Sequence, residues 1–521
     1  MLSVKGLSKI GCSLANANDH FFYAYNPSTR SAFPTLFYQA TKTEVDDAVS
    51  QAVAISDWFR DSSLLVRSQL LNKIADGIRL HEERLKKWYC LETALPMDRA
   101  TSELNRAIFQ FQSYAQALLL GIPLEVRIDE GDTEKQPMPL PDIRKMNVAL
   151  GPVVVFGASN FPFAYSTIGG DVAGALAAGC PVIVKAHVLH PHTSEVCAQI
   201  ITEALQQLDL DQGIFSHLFS HDFKVGEQLV VHPDIQAVGF TGSIKGGLSL
   251  IRLAATRPVP IPVYAEMGSS NPIIINETAL MQSSEEIAVK IAQSVTVNAG
   301  QFCTSPGLLL FVKSDRTLQL VRQMRAIFEK QQPITMLGDT IFQQYVQRST
   351  EQLSVSLIEF DGMRSNNAIS PTFTMISGQR FIQDPTVQEE IFGSFITGIA
   401  CENEQELLDA MKLLQGQLTG SLFCGDETGD LFEKQLKLLK SKVGRIIVNG
   451  VPTGVAVTAA MHHGGPFPSS SHSYFSAVGL DSIKRFMRPI AFQNFPDNGL
   501  PDALKRANPF NILRFVNGNY Q

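Results

Sequence analysis

Apolar positions recur at helical spacing near the start of the chain. Val45, Ala48, Val49, Ala52 and Phe59 fall on one face at i, i+3, i+4 intervals, with Thr43 as the N-cap. Leu70, Leu71, Ile74 and Ile78 mark a second helix, and a third pattern runs over about 99–120. Residues 129–145 (DEGDTEKQPMPLPDIRK) break the periodicity, being polar with three prolines. Such a segment reads either as a linker or as an extended arm that adds a strand to a neighbouring subunit.

From Val148 the pattern turns to short apolar runs between helical stretches. Residues 153–156, 181–185, 214–219 and 237–241 read as buried strands. Between them lie a small-residue helix over 170–178 and a helix capped by Thr193 that ends near Leu208; Gly242 and Ser243 then open a helix toward Ala255. Strands alternating with helices imply a parallel α/β sheet, with ligands at the carboxyl ends of its strands. Asn160, Lys185, Ser243 and Glu266 sit at or just beyond such ends. A second alternation follows from about Pro262 to Asn449, with strands near 272–276, 307–312 and 444–448. The tail after Met487 carries Pro489, Pro496, Pro501 and Pro509 and is a candidate to pack with the 129–145 arm. No internal repeat is present.

Composition narrows the class. At 521 residues and 57.1 kDa the chain exceeds one ordinary core, so two or three domains are expected. A net charge of −7 and a pI near 5.9 argue against nucleic acid as main partner. The most apolar stretch, 151–184, is interrupted by Pro152, Pro162, Asp171 and many glycines, which argues against a membrane span. The N-terminus lacks an apolar run long enough for a signal peptide. Seven cysteines (Cys12, Cys90, Cys180, Cys197, Cys303, Cys401, Cys424) are odd in number and form no C-x-x-C. Neither a disulfide framework nor structural zinc is expected, and a reducing, cytoplasmic compartment fits.

Standard motifs are missing. There is no G-x-G-x-x-G, no P-loop and no G-x-S-x-G elbow. His462 and His463 are adjacent and cannot share a helical metal face, so no metal is expected. GSIKGG (242–247) opens a helix directly after a strand, where free N–H groups favour phosphate, although a simple capped helix looks the same. Cys303 in NAGQFCTSPG (298–307) reads as a nucleophile or as a small buried hydrophobe. Glu266 ends an apolar run over 261–265, a costly place for a carboxylate unless it is paired or functional.

Together, GPVVVFGASNFPFAY (151–165), CPVIVKAHVLHPHTSE (180–195), AVGFTGSIKGG (237–247), YAEMGSSNP (264–272), NAGQFCTSPG (298–307), EEIFG (389–393) and VNGVPTGVAV (448–457) resemble the aldehyde dehydrogenase superfamily over about residues 20–515. GASNFP, KAH with HPHTS, and HGGPFP (463–468) resemble most the branch of 2-oxoglutarate semialdehyde and bacterial NADP-dependent long-chain aldehyde dehydrogenases. The resemblance implies an α/β fold with a Rossmann-type cofactor domain (1–128 and 148–262), an α/β catalytic domain (263–455), and a small β oligomerisation arm (129–147 with 487–521). Residues 456–486 would return along the domain interface. It implies Cys303 as nucleophile, Glu266 as base, and the Asn160 side chain with the Cys303 N–H as oxyanion donors. For an NAD(P) cofactor it implies Lys185 at the adenosine ribose, Gly242 and Ser243 at the pyrophosphate, and Glu390 with Phe392 at the nicotinamide ribose. It also implies a homodimer or homotetramer.

Departures from the family pattern sharpen the expectation. Val188 stands where many NAD-using members have a ribose-gripping glutamate, and Lys224 aligns with a basic position, so NADP is expected, with NAD possible. Ser394 replaces a proline, Met-Gly-Ser follows Glu266, and Ser159 replaces a tryptophan, which would open the pocket. The expected reaction is oxidation of 2-oxoglutarate semialdehyde to 2-oxoglutarate, with Arg106 as a partner for the substrate carboxylate. The alternative is a long-chain fatty aldehyde in a tunnel lined by Phe109, Phe111, Phe161, Phe163 and Phe302. A thiol esterase or acyl transferase, or a silent structural protein on this fold, would be different classes. The retained Glu266, a base for hydrolysis, argues against acyl transfer to CoA, and Cys303, Glu266 and Asn160 together argue against a silent protein.

Overall fold

The structure, a computed structural model, describes residues 4–11, 13–425 and 429–521, so Cys12 lies outside the described residues. Four helices open the chain after a hairpin: α1 (Lys42–Asp61), α2 (Leu64–Leu80), α3 (Glu82–Thr93) and α4 (Met97–Leu119). The cap of α1 is Thr41, not Thr43. Its hydroxyl accepts the Glu44 N–H while the Glu44 carboxylate accepts the Thr41 N–H, a reciprocal capping box. Two elements escaped the sequence pattern. The hairpin Phe21–Asn26 with Ser31–Tyr38 precedes the first helical pattern, and α3 is too polar (EERLKKWYCLET) to show a stripe.

The first sheet has seven strands. From one edge they run Val263–Glu266, Ala237–Thr241, Val153–Phe156, Val182–Lys185 and Phe215–Leu218, all parallel, then Lys9–Ile10 and Ser13–Leu14 antiparallel. The chain builds outward from Val153–Phe156 to Phe215–Leu218, then returns to the other side of its starting strand. The crevice between Val153–Phe156 and Ala237–Thr241 is therefore a topological switch point, the usual dinucleotide site of such sheets. The strand Val263–Glu266 belongs here, hydrogen-bonded to Ala237–Thr241, so the first sheet runs past the expected 262/263 boundary.

Helices α5 (Gly170–Ala178), α6 (Pro191–Gln207), α7 (Lys224–Val231) and α8 (Ile244–Ala255) connect these strands. The cap of α6 is His190, and Thr193 lies in the first turn instead. Its hydroxyl donates to Glu92 of α3, which also takes the His192 and Thr193 N–H groups and so does the capping from outside.

A second seven-stranded sheet runs Leu357–Phe360, Thr372–Ser377, Phe395–Cys401, Leu308–Val312, Ile273–Ile275, Gln417–Phe423 and Val443–Val448, parallel except at the first edge. Helix α9 (Glu277–Thr296) covers one face and feeds the Cys303 loop. A third sheet joins distant segments: Met487–Gln493, Ile143–Ala149, Arg127–Asp129, Phe515–Val516 and Asn519–Tyr520. Here the Pro-rich tail does meet the arm, through seven paired residues between Ile143–Ala149 and Met487–Gln493. Among the described residues no helix is long and apolar enough to cross a membrane.

Candidate active site

Cys303 is delivered by a strained turn. Asn298, Ala299 and Gly300 all hold positive φ (51°, 57° and 67°), conformations that cost energy for residues with a Cβ. Gly300 has no alternative, since a Cβ there would stand 2.5 Å from the Gly393 carbonyl. Gln301 locks the turn from both ends. Its amide donates to Asn298 O, and its side-chain oxygen accepts the Leu337 N–H. Asn271, fully buried just before the second sheet, donates to the carbonyls of Cys303 (2.8 Å) and Ser305 (2.9 Å) while accepting from Thr419.

The first sheet supplies the facing groups. Asn160 follows the strand ending at Phe156; one amide N–H donates to Gln301 O at 3.1 Å, leaving the second N–H for a ligand. Its loop is moored by Glu103 of α4, whose carboxylate accepts the N–H groups of Phe163 and Ala164 and the Tyr89 hydroxyl. Glu266 ends its strand 4% exposed, and among the described residues neither carboxylate oxygen makes a hydrogen bond of good geometry. The Cys303 N–H makes no hydrogen bond among the described residues.

A residue that the motif analysis set aside completes the cluster. His463 arrives on the segment that pairs with Glu266 through Ser470 and holds the Met267 N–H through Ser469. Its Nε2 lies 3.5 Å from Cys303 Sγ and 3.1 Å from Glu266 Oε1. The grouping joins three distant segments, so no local spacing shows it. The only sequence signal was its place in HGGPFP. Burial, and then the Glu266 charge, push the Cys303 thiol far above its usual range, against a smaller downward pull from Arg106. The resting sulfur is a thiol, and a base in contact is needed to ionise it.

Cys303 opens onto a cavity of about 400 Å³ lined by Arg99, Arg106, Phe109, Phe161, Tyr165 and Phe302 among others. Arg106 pairs with no carboxylate among the described residues; it donates to Val455 O (3.1 Å) and Tyr165 Oη (3.0 Å). Arg99, which the sequence did not single out, lies between two rings, 4.3 Å from the Phe161 centroid and 4.4 Å from that of Phe302. Phe111 and Phe163 are core residues with no exposure and do not line the cavity.

The remaining residues follow strands of the first sheet or, for Glu390 and Phe392, line a separate cleft. Ser243 caps α8, accepting the Gly246 N–H at 3.1 Å, with Gly242 beside it. Lys185 ends its strand, and burial lowers its ammonium to about 8 against the opposing pull of Asp222. Lys224 is exposed, 4.0 Å from Asp222. Burial would raise Asp222, but hydrogen bonds from Gln39, the Lys224 N–H and Ser220 hold it below its usual range. Glu390 and Phe392 line a narrow cleft with Ser269 and Phe302. Burial pushes Glu390 up to about 7, opposed only by the Ser269 N–H, and no ion pair reaches it among the described residues. Its carboxylate lies where a Cβ on Gly268 would be, 2.1 Å from Oε2. A carboxylate without a cation suits a ribose diol, and an open helix start suits a pyrophosphate. These residues fit a nicotinamide dinucleotide.

A sequence model described as the aldehyde dehydrogenase family matches residues 14–488. The chain belongs to this family. It is 37% identical to alpha-ketoglutaric semialdehyde dehydrogenase 2 of Azospirillum brasilense over 530 residues, covering 99% of each chain. It is 39% identical to the alpha-ketoglutaric semialdehyde dehydrogenase of Acinetobacter baylyi over 492 residues, 93% of this chain and 92% of that one. Among solved structures, a Thermus thermophilus 1-pyrroline-5-carboxylate dehydrogenase variant superposes with a TM-score of 0.79 at 22% identity, covering 94% of this chain and 92% of that one. This aldehyde dehydrogenase thus has the family's fold and its NAD(P)-dependent aldehyde oxidation.

Proposed function

We propose that this enzyme oxidises 2-oxoglutarate semialdehyde to 2-oxoglutarate, preferring NADP. The observation that carries the substrate reading is the pair of guanidinium groups, Arg99 and Arg106, in the cavity that opens onto Cys303. A dicarbonyl acid brings a carboxylate that such a pair would hold, and the relatives named for this substrate agree.

In this reading His463 Nε2 takes the Cys303 proton and the sulfur attacks the aldehyde carbon. The second Asn160 N–H and the Cys303 N–H then receive the oxyanion of the thiohemiacetal. The bound nicotinamide supplies the hydride acceptor. The acyl group remains on Cys303 as a thioester. Glu266, assisted by His463, draws a proton from water, which attacks the thioester carbon; the sulfur leaves and recovers a proton, and the acid departs as its carboxylate. Glu390 orients the cofactor ribose, and Lys185 and Ser243 hold the distal half.

The NADP preference rests on Val188, which leaves no carboxylate at that position, and on Lys185 and Lys224 around Asp222. The exposed Met138, Phe495 and Tyr520 on the arm and tail are the surface proposed to join subunits. A second reading has its own observation. An apolar cavity of about 270 Å³ shares Phe109 and Val457 with the first and would accept an alkyl tail.

One panel tests these readings: kcat/KM for 2-oxoglutarate semialdehyde, glutaraldehyde and dodecanal, with NADP and with NAD, for wild type and Cys303→Ala. We expect the keto acid to lead, NADP to exceed NAD, and Cys303→Ala to be inert. Dodecanal in front overturns the substrate reading, and NAD ahead by tenfold overturns the cofactor reading. Equal rates in Cys303→Ala overturn the mechanism.

A further inference from the structure

We propose that Glu266, Cys303 and His463 also form a binding site for a thiophilic divalent cation, with Zn²⁺ as the best match, that holds the enzyme reversibly inactive. The ligand atoms, one from each residue, lie within 4.8 Å of one another. Tetrahedral zinc with Zn–S near 2.3 Å and Zn–N near 2.0–2.1 Å sets sulfur and nitrogen roughly 3.6 Å apart, and nitrogen and oxygen roughly 3.3 Å. Here Sγ and Nε2 are 3.5 Å apart, and Nε2 and Oε1 are 3.1 Å apart. The trio therefore needs only small shifts to close on a metal.

A second observation points to a ligand independently of that spacing. Glu266 is 4% exposed, yet among the described residues its Oε2 has no hydrogen-bond or ion-pair partner and its Oε1 has only the His463 ring, 3.1 Å away. A buried carboxylate in that state is an open acceptor. The chemistry of the set selects the ion. Thiolate, imidazole and carboxylate suit Zn²⁺ and not Mg²⁺ or Ca²⁺, which take oxygen ligands. One thiolate and one carboxylate cancel the two positive charges. The Cys303 proton passes to solvent as the Zn–S bond forms, and the fourth position faces the cavity for water. Arg99 and Arg106 line that cavity, so loosely held cations are repelled and retention depends on direct ligation. Three protein ligands with one open position would make binding reversible by chelators.

The inhibitory consequence rests on the reading of Cys303 as nucleophile; the binding itself does not. Two measurements keep them apart. Co²⁺ added to the enzyme in buffer without thiol reductant should give tetrahedral d–d bands and a sulfur-to-cobalt charge-transfer band, the latter lost in Cys303→Ser. In parallel, Zn²⁺ should suppress aldehyde oxidation at least tenfold, EDTA should restore it, and Mg²⁺ should have no effect. His463→Ala should weaken retained zinc, measured by elemental analysis after gel filtration, at least tenfold. A charge-transfer band that survives in Cys303→Ser places the metal at another cysteine and overturns the proposal, as does unchanged zinc retention in His463→Ala. Cobalt bound as expected without any loss of activity would leave the site standing and overturn its inhibitory role.

Discussion

At the scale of single residues, the reactive sulfur depends on its neighbours. Burial and the Glu266 charge keep Cys303 protonated at rest, which is why the proposed mechanism gives its proton to His463, 3.5 Å away. We expect His463→Ala to lower kcat by about 10²-fold or more, the usual contribution of a positioned base, with KM for aldehyde little changed. Iodoacetamide alkylation of Cys303 should slow in the same variant. Glu390 sets a pH dependence. Burial raises it to about 7, so below that pH it is protonated and loses an acceptor for the ribose hydroxyls. Cofactor should bind more tightly as pH rises through 7, and Glu390→Gln should flatten that curve in a fluorescence titration with NADPH. Cys303, Glu266 and Asn160 were legible in the sequence because each sits in a recognisable motif at a strand end or before the second sheet. Arg99 was not, because a cation between two rings is a matter of three-dimensional stacking.

At the scale of elements, loops do the positioning. Asn271 ties the Cys303 and Ser305 carbonyls to the second sheet. Asn271→Ala would strand these buried groups, a loss of about 2–4 kcal/mol, measured by denaturant unfolding, with a fall in kcat. Gly300→Ala would drive a Cβ into the Gly393 carbonyl at 2.5 Å and should lower both Tm and activity. Runs of Val and Ile announced the two central strands of the first sheet, Val153–Phe156 and Val182–Lys185. Phe395–Cys401 and Gln417–Phe423 went unseen because Thr, Gly, Ser and Gln dilute them. Those polar residues are buried, and some are bonded across elements, as Thr419 is to Asn271 and Gln417 to Ser269, a pairing no local pattern displays. The cap of α6 was misplaced by three residues for a related reason. For α6 the capping carboxylate comes from Glu92, about a hundred residues away in sequence.

At the scale of the whole molecule, stability should fall in mild acid. Burial lowers His187, His190 and His217, the last to about 3. Unfolded, each would take a proton below its usual pKa near 6.5, whereas the native state refuses it, so the unfolded chain binds more protons. For a histidine such as His217 the loss is about 1.4 kcal/mol per pH unit below roughly 6.5, and it ends near pH 3. Thermal unfolding from pH 7 to 5 should show a steep decline in Tm. At the same scale, Tyr520→Glu with Met138→Glu should shift the enzyme to smaller species in light scattering if the third sheet joins subunits. The division of labour between the two large sheets has one more result. Asn160 and Glu266 stand at the end of one sheet, Cys303 on a loop of the other, and His463 on a later segment that reaches both. During synthesis the sulfur emerges from the ribosome 160 residues before the imidazole that faces it. A chain cut short of residue 463 would keep Cys303, Glu266 and Asn160 but lack that imidazole, so in the proposed mechanism aldehyde oxidation waits for one of the last parts of the fold to be made.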